Sequence, residues 1–242
     1  MIPRGSFTKV AACVVALISA FVVSAAQGAE VGKATVRSIR GQAQYAEGAN
    51  WLPLNVGQVL KPGSTVRTAN ESQVDLFMDQ NGPVVRLTEN TTLGLDKLSF
   101  EATGVDTIIE TQLDLKSGRI LGIVKKMAAS SKYEIKTPNG VAGIRGTEYD
   151  ITATSVVRVI TGSLVVVYVK SDGTVITQTV NAGEMFVPSE GAVRPIPPDE
   201  LSQLRADIAD LMGGPVAALK VEEPIRIFIS PTTGVGTSVK VP

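Results

Sequence analysis

Few side chains in this chain could act in catalysis or bind a metal. The sequence has no histidine and a single cysteine, Cys13, so the commonest general base and metal ligand at neutral pH is missing. Carboxylates remain: Asp75 with Asp79, or Glu148 with Asp150, could share one face of a strand and offer oxygen ligands to a hard cation such as calcium. Because no loop gathers enough oxygen ligands, we interpret these acids as solvated strand residues or loop caps and predict no metal site.

Other catalytic patterns are incomplete. The spacing Gly140-x-x-Gly143-x-x-Gly146 could suggest a phosphate cradle, but it lacks the Lys-Ser/Thr and the following helix that supply charge and dipole. The serines have no histidine as a base and no Gly-x-Ser-x-Gly elbow. A glycosidase needs only two facing acids, yet nothing in the spacing singles out such a pair. We therefore predict a protein that is not an enzyme, with no catalytic residues and no cofactor.

The N-terminus has the order of a secretory signal peptide. Arg4 and Lys9 precede an uncharged apolar run, followed by small residues, and this run is short for a membrane span. Ala26 and Gly28 fit the positions before a cleavage site, which predicts a signal peptide over 1–28, with Ser24 and Ala26 as the competing pair. Cleavage there would remove the cysteine, two cations and no acid, so disulfides and nucleic-acid binding are not expected. We expect a periplasmic or secreted protein that does not span the membrane after cleavage.

The segment 34–190 predicts a mainly β domain. Short runs rich in β-branched residues alternate with turn residues, as at Val74, Leu76 and Met78, and this spacing is typical of a β-sandwich, barrel or β-roll with many short strands. Three glycines, Gly41, Gly118 and Gly162, each introduce an apolar run. The similarity hints at stacked β-coils but is too weak for a repeat.

The C-terminal part changes character. A proline-rich linker is predicted over 191–198, followed by an amphipathic helix within 199–214, because Leu201, Leu204, Ile208 and Leu211 recur at helical spacing. We expect the apolar stripe of this helix to pack on the β domain. The last segment, 215–242, is predicted to be a C-terminal tail with one strand-like run.

Several motifs, in order, resemble the FecR family. An opening segment runs from Trp51 to Leu76, and Leu113 to Ile120 resembles a second motif. The most specific is Thr137 to Ile151, similar to the family's TP-x-G-x-x-x-x-RGT hallmark followed by an aromatic residue. The resemblance covers roughly 36–190. The positions that carry it outside the hallmark are Trp51, Gly57, Gly63, Arg67, Thr68, Gly118, Gly162 and Gly183.

Within the hallmark, the residues that could bind or shape a site are Thr137, Pro138, Gly140, Gly143, Arg145, Gly146 and Thr147. Proline cannot donate to a strand ladder, and glycines permit unusual backbone angles, so a sharp connection between strands is expected. Arg145 presents five donors. We favour a structural clamp, in which this guanidinium binds carbonyls or an acid such as Glu148 or Asp150; the alternative is a contact for a ligand or partner.

The FecR resemblance implies a sensory or interaction module of the bacterial envelope, with an unknown envelope or membrane protein as partner. The family's namesake senses a loaded iron(III)-citrate transporter and controls a sigma factor, so regulation of iron transport is a family association here. We expect this chain to correspond to the periplasmic type of domain alone, so that signalling would require another membrane protein. The alternative is a structural or adhesion-associated envelope protein that binds a surface protein or polysaccharide.

Overall fold

The computed structural model describes residues 28–82, 84–104 and 106–213. In these residues the chain forms two β-sheets and one C-terminal helix. The elements in chain order are β1 (Glu30–Val31), β2 (Ala34–Arg40), β3 (Ala43–Ala46), β4 (Trp51–Pro53), β5 (Val59–Leu60), β6 (Thr65–Thr68), β7 (Gln73–Phe77), a 3-10 turn (Asp79–Asn81), β8 (Val84–Leu87), β9 (Thr92–Ala102), β10 (Thr107–Ser117), β11 (Arg119–Ile123), β12 (Lys132–Thr137), β13 (Gly140–Ile144), β14 (Glu148–Thr152), β15 (Val157–Thr161), β16 (Ser163–Val169), β17 (Val175–Asn181), β18 (Glu184–Val187), β19 (Ala192–Pro195) and α1 (Pro198–Gly213).

The chain passes repeatedly between the two sheets. Sheet A has ten strands in the order β17-β16-β13-β12-β10-β9-β6-β3-β4, with β1 paired to β9, and sheet B has nine in the order β19-β18-β15-β14-β11-β8-β7-β2-β5. Pairing is antiparallel except between β10 and β12. Strands make up 55% of the structure. The prediction of a mainly β fold with one C-terminal helix is confirmed.

Glycines mark corners where the chain leaves one sheet for the other. Gly41, Gly118, Gly162 and Gly183 each stand between a strand of one sheet and a strand of the other. At Gly118 the backbone has φ +81°, and an added Cβ would lie 2.3 Å from Thr91 Oγ1. A larger residue at this corner would therefore meet both backbone strain and a steric clash.

The main core lies between the inner faces of the sheets. Alternating apolar residues of both sheets fill it, including Leu76, Leu113, Ile135 and Ile151, which are all fully buried. This arrangement follows from the period of two along each strand, which sends every second side chain inward. The core thereby supports the corners from which the hallmark side chains project.

The helix covers the outer face of sheet B. Leu204, Ile208 and Leu211 pack into a second apolar cluster with residues such as Leu121 and Ile160. The helix begins at Pro198. Proline is tolerated there because the first N–H groups of a helix make no hydrogen bond within it. Gly214 and the predicted tail 215–242 lie outside the described residues, as do residues 1–27 of the predicted signal peptide. No helix in the described part of the chain has the length and apolar character needed to cross a bilayer.

The predicted linker over 191–198 is corrected by the structure. Ala192–Pro195 form β19, which pairs antiparallel with β18, and Ile196 is buried beneath α1. Two features let a proline-containing segment join the sheet. Pro195 stands at the end of an edge strand, where its missing donor costs the ladder little, and Val193 packs against the main core.

Candidate functional site

The hallmark segment forms one hairpin and one corner. Pro138 and Asn139 connect β12 to β13, whose residues pair from Glu134↔Gly143 to Thr137↔Gly140. After β13 the chain leaves sheet A through Arg145 and Gly146, and then enters β14 in sheet B. The expected sharp connection therefore consists of two turns, one within a sheet and one between sheets.

Most hallmark side chains hold the backbone in this course. The Thr137 hydroxyl donates to the Gly140 carbonyl at 3.2 Å and lies 2.7 Å from the hydroxyl of Ser155. The buried Thr147 hydroxyl donates to the Ser163 carbonyl at 2.7 Å. The Thr147 backbone also exchanges two hydrogen bonds with Val124, each 2.9 Å long. These residues tie the corner to both sheets.

The three hallmark glycines have different surroundings. A Cβ on Gly140 would lie 2.4 Å from the Val167 carbonyl oxygen, so the neighbouring strand leaves no room for a side chain there. Gly146 has φ +74°, and a Cβ would lie 3.1 Å from Lys126 Cα. A Cβ on Gly143 would have its nearest neighbour, the Val165 carbonyl oxygen, at 3.9 Å, which is ordinary contact. Sterics therefore require glycine at 140 and 146, but not at 143.

Arg145 differs from the other hallmark residues because its side chain is exposed. It makes no hydrogen bond or ion pair with any residue that the structure describes. The described residues give no support to the clamp: Asp150 is already bound by Arg119 at 2.5 Å and Arg158 at 2.9 Å, and Glu148 forms no ion pair with Arg145 in the described structure.

Two lysines join Arg145 in an exposed basic surface. Lys125 and Lys126 follow Val124, which pairs with Thr147, and their side chains are exposed. Neither forms an ion pair within the described chain. We call Lys125, Lys126 and Arg145 the Arg145 corner. Three unneutralised cations on two adjacent segments create a positive potential that favours an acidic partner.

An open groove begins at this corner. It has a volume of about 370 Å³ and is lined by Lys125 and Lys126, by apolar Phe77, Ile109 and Met127, and by two acids, Asp79 and Asp106. Phe77 is 41% exposed. A side chain that combines an acid with an apolar or aromatic group nearby would find both a cation and an apolar wall here.

The remaining signature positions fix turns and strand pairing. Gly162 lies against the hallmark, since a Cβ on it would be 2.3 Å from the Gly146 carbonyl oxygen. At the far end of sheet A, the Arg67 guanidinium lies 4.0 Å from the centre of the Trp51 ring. Thr68 is buried and donates to the Thr88 carbonyl. The backbone N–H groups of the three other glycines each donate to a carbonyl of another segment: Gly57 to Val36, Gly63 to Leu95 and Gly183 to Val159.

The sequence interpretation missed a polar layer between sheet B and α1. Arg86 binds Asp75 and, on the helix, Asp210, both at 2.7 Å. Arg158 similarly contacts two acids, buried Asp150 at 2.9 Å and Glu200 of the helix at 2.5 Å. The available signal was the presence of arginines and acids in the predicted strands together with acids at helix positions 200, 207 and 210. Without knowing where the helix lies, these charges could not be assigned to each other.

This layer accounts for two of the four acids first considered as metal ligands, Asp75 and Asp150. Burial raises the pKa of Asp150 above its ordinary value, and the positive charges of Arg119 and Arg158 oppose that rise. Burial alone would lower the pKa of Arg86, but hydrogen bonds and attraction to Asp75 and Asp210 leave it raised. In the described residues no group of three potential metal-ligating side chains comes together.

The family comparison agrees with the motifs. The model of the FecR protein family matches residues 64–165, which run from just before β6 into β16 and contain the whole hallmark. The resemblance to the FecR family is therefore confirmed over this range. The match is shorter than the predicted range of 36–190, so Trp51, Gly57, Gly63 and Gly183 lie outside it.

Two solved structures are similar over part of the chain. Both are crystal structures described as candidate anti-sigma factors from Parabacteroides distasonis ATCC 8503, each with 14% sequence identity. One has a TM-score of 0.44 over 60% of this chain, and the other 0.42 over 62%. The aligned part spans 64% of each of those chains. No curated protein matches the chain.

Proposed function

We propose that this protein is a non-enzymatic FecR-type interaction module of the bacterial envelope, which binds a partner protein through the Arg145 corner. One observation carries the proposal. The hallmark threonines and two of its glycines fix the backbone, whereas its arginine is exposed and has no partner in the described chain. The backbone at this corner is already ordered, and the planar guanidinium can bind a carboxylate through two parallel hydrogen bonds, which favours recognition.

The partner that fits has an acidic surface. Lys125 and Lys126 add two exposed cations beside Arg145, and the adjoining groove offers Phe77 and Met127 as apolar contacts. Charges at the rim of an interface mainly increase the association rate and the salt dependence. Binding should therefore weaken with added salt, since exposed charges are screened over about 8 Å at physiological ionic strength.

The FecR domain supports a role in envelope signalling. A periplasmic location would follow from this domain together with the signal peptide expected over 1–28. On this proposal, a membrane protein of the same envelope binds the corner and carries the signal onward. Regulation of iron(III)-citrate transport is one pathway of this kind, through the family association. An adhesion-associated role would instead give stable assembly without a signalling response.

The decisive experiment is crosslinking and capture from the native periplasm with wild-type, Arg145→Ala and Arg205→Ala proteins. Arg205 is a matched control because it is an exposed arginine on α1, outside the hallmark, with no contact in the described structure. We expect one envelope protein to be recovered with wild type and Arg205→Ala but lost with Arg145→Ala. The purified partner should then bind in a salt-dependent manner.

Thermal unfolding of the same variants separates contact from clamp. Because Arg145 has no partner within the described chain, Arg145→Ala should unfold at the wild-type temperature. A lower melting temperature would restore the clamp interpretation. Equal recovery of the partner with Arg145→Ala and wild type would exclude the corner as the binding surface.

A further inference from the structure

The four outer edges of the two sheets differ in how well they are protected. Sheet A ends at β4, three residues with a terminal proline, and sheet B ends at two-residue β5 and at β19, which contains Arg194 and Pro195. Short strands, prolines and charges are the usual protection of an edge against pairing with another chain. The fourth edge, β17, has none of them. It is seven residues long, Val-Ile-Thr-Gln-Thr-Val-Asn, without charge or proline.

The β17 edge is also regular. Its seven residues pair with β16 from Ser163↔Asn181 to Val169↔Val175 without a register shift. In the described structure no second strand pairs with it. A long, straight, uncharged edge is a template for another strand.

An exposed apolar surface accompanies this edge. On the outer face of the β16–β17 hairpin, Val165, Val167, Val169 and Val175 are 42, 37, 43 and 60% exposed. These four make up a large share of the exposed apolar side chains of the described chain, and contiguous patches of this kind mark interaction sites.

The order of residues along β17 points to the partner. Around Gln178 the strand reads Ile176-Thr177-Gln178-Thr179-Val180, which is nearly the same in either direction. Antiparallel pairing centred on Gln178 would place Thr177 opposite Thr179 and Ile176 opposite Val180. Thr–Thr and β-branched pairs are favourable across strands. Because a two-fold axis would relate the strands, each of these favourable pairs would occur twice, which favours a second copy of the chain as the partner.

We propose that two copies of the chain associate edge to edge through β17, in antiparallel register around a two-fold axis at Gln178. The inner faces then lie on the same side, so the two A sheets continue into one another. This interface is independent of the Arg145 corner and of its partner.

Charge supports a second copy as the occupant. Val175 to Asn181 carry no charge, so the two central segments meet without repulsion.

The test is the mass of the purified full chain in solution, measured by sedimentation over a concentration series. We expect the wild type to approach twice the mass of one chain as concentration rises. Gln178→Lys places two cations at the two-fold axis and should weaken the dimer by tenfold or more, and Gln178→Glu should do the same with two anions. An equimolar mixture of the two variants should restore the dimer, because the axis then pairs opposite charges.

The control is Gln42→Lys, the same substitution at an exposed position between β2 and β3. It should dimerise like wild type. Gln178 is half-buried and pairs with inward-facing Val166, so thermal unfolding must show that each Gln178 variant is folded at the temperature of the sedimentation experiment. A wild type that stays monomeric at every concentration would overturn the proposal, including the case in which β17 accepts a strand only from another protein. A dimer unaffected by both Gln178 variants would exclude this edge, and failure of the mixture to dimerise would exclude this register.

Discussion

Replacing Arg86 with methionine should lower the free energy of unfolding by about 3–5 kcal/mol, because it leaves the buried Asp75 carboxylate without its counter-charge. The two side chains are 5 and 6% exposed. Arg86 Nε donates to Asp75 Oδ1 at 2.7 Å and Nη2 to Oδ2 at 3.0 Å, a bidentate arrangement. After the substitution, the Ser38 hydroxyl at 2.8 Å is the remaining side-chain donor to this carboxylate in the described structure.

Two further variants test the physical reason. Asp75→Leu combined with Arg86→Met removes both charges and should be much closer to wild type than Arg86→Met alone, because no uncompensated charge stays buried. Asp210→Asn removes the helix acid on the same guanidinium, but Asp210 is 46% exposed, so its loss should cost less than about 1 kcal/mol.

Urea unfolding followed by far-UV circular dichroism measures these differences. For a protein of this size, a loss of 3–5 kcal/mol corresponds to a melting temperature lower by roughly 6–20 °C. A loss below about 1 kcal/mol for Arg86→Met would show that water reaches the Asp75 carboxylate and would refute the argument from burial. So would a double variant no more stable than Arg86→Met.

Four other substitutions have outcomes that follow from steric contacts and burial. Gly140→Ala would place a Cβ 2.4 Å from the Val167 carbonyl oxygen and should destabilise the fold by about 1–3 kcal/mol. Gly143→Ala should be almost neutral, because the nearest atom to its Cβ would be 3.9 Å away. Equal urea midpoints for the two variants would contradict this. Leu204→Ala should lower the free energy of unfolding by about 2–5 kcal/mol, because this side chain of α1 is only 2% exposed. A change below about 0.5 kcal/mol would mean that the helix does not stay docked on sheet B. Burial raises the pKa of Tyr133 from 10.0 to about 12. The unfolded chain therefore loses this proton first, and stability should fall by about 1.4 kcal/mol per pH unit between those values. Tyr133→Phe should remove this contribution to the fall in the free energy of unfolding, measured by urea titrations from pH 9 to 12. An unchanged fall would contradict the raised pKa of Tyr133.

Local patterns anticipated the class of fold and the helix, but not the pairing of elements. Alternation at Val74, Leu76 and Met78 predicted inward-facing residues, and all three are fully buried. Leu204 and its neighbours predicted the helix that covers sheet B. Pro195 led to the wrong prediction of a linker. The sequence alone does not show whether the missing N–H of a proline would face a neighbouring strand or the open edge of a sheet.

The candidate site shows the same division. The hallmark letters predicted a sharp connection in this segment, since glycine and proline restrict the backbone locally, and singled out Arg145 without deciding its role. They could not show that Asp150 is occupied by Arg119 and Arg158. Those partners are 31 and 8 residues away in sequence, and the pairing of β14 with β11 and β15 in sheet B brings them together.

The sequence by itself determined the mainly β class, the amphipathic helix, the FecR motifs and the shortage of catalytic side chains, because composition, periodicity and backbone restrictions act over a few neighbouring residues. The tertiary structure decided which arginines are paired and which is exposed, which glycines are sterically required, and that β17 is an edge without a second strand partner in the described residues. These properties depend on contacts between segments far apart in the chain. Solvent exposure and ion pairing are set by those contacts, not by the residue types alone.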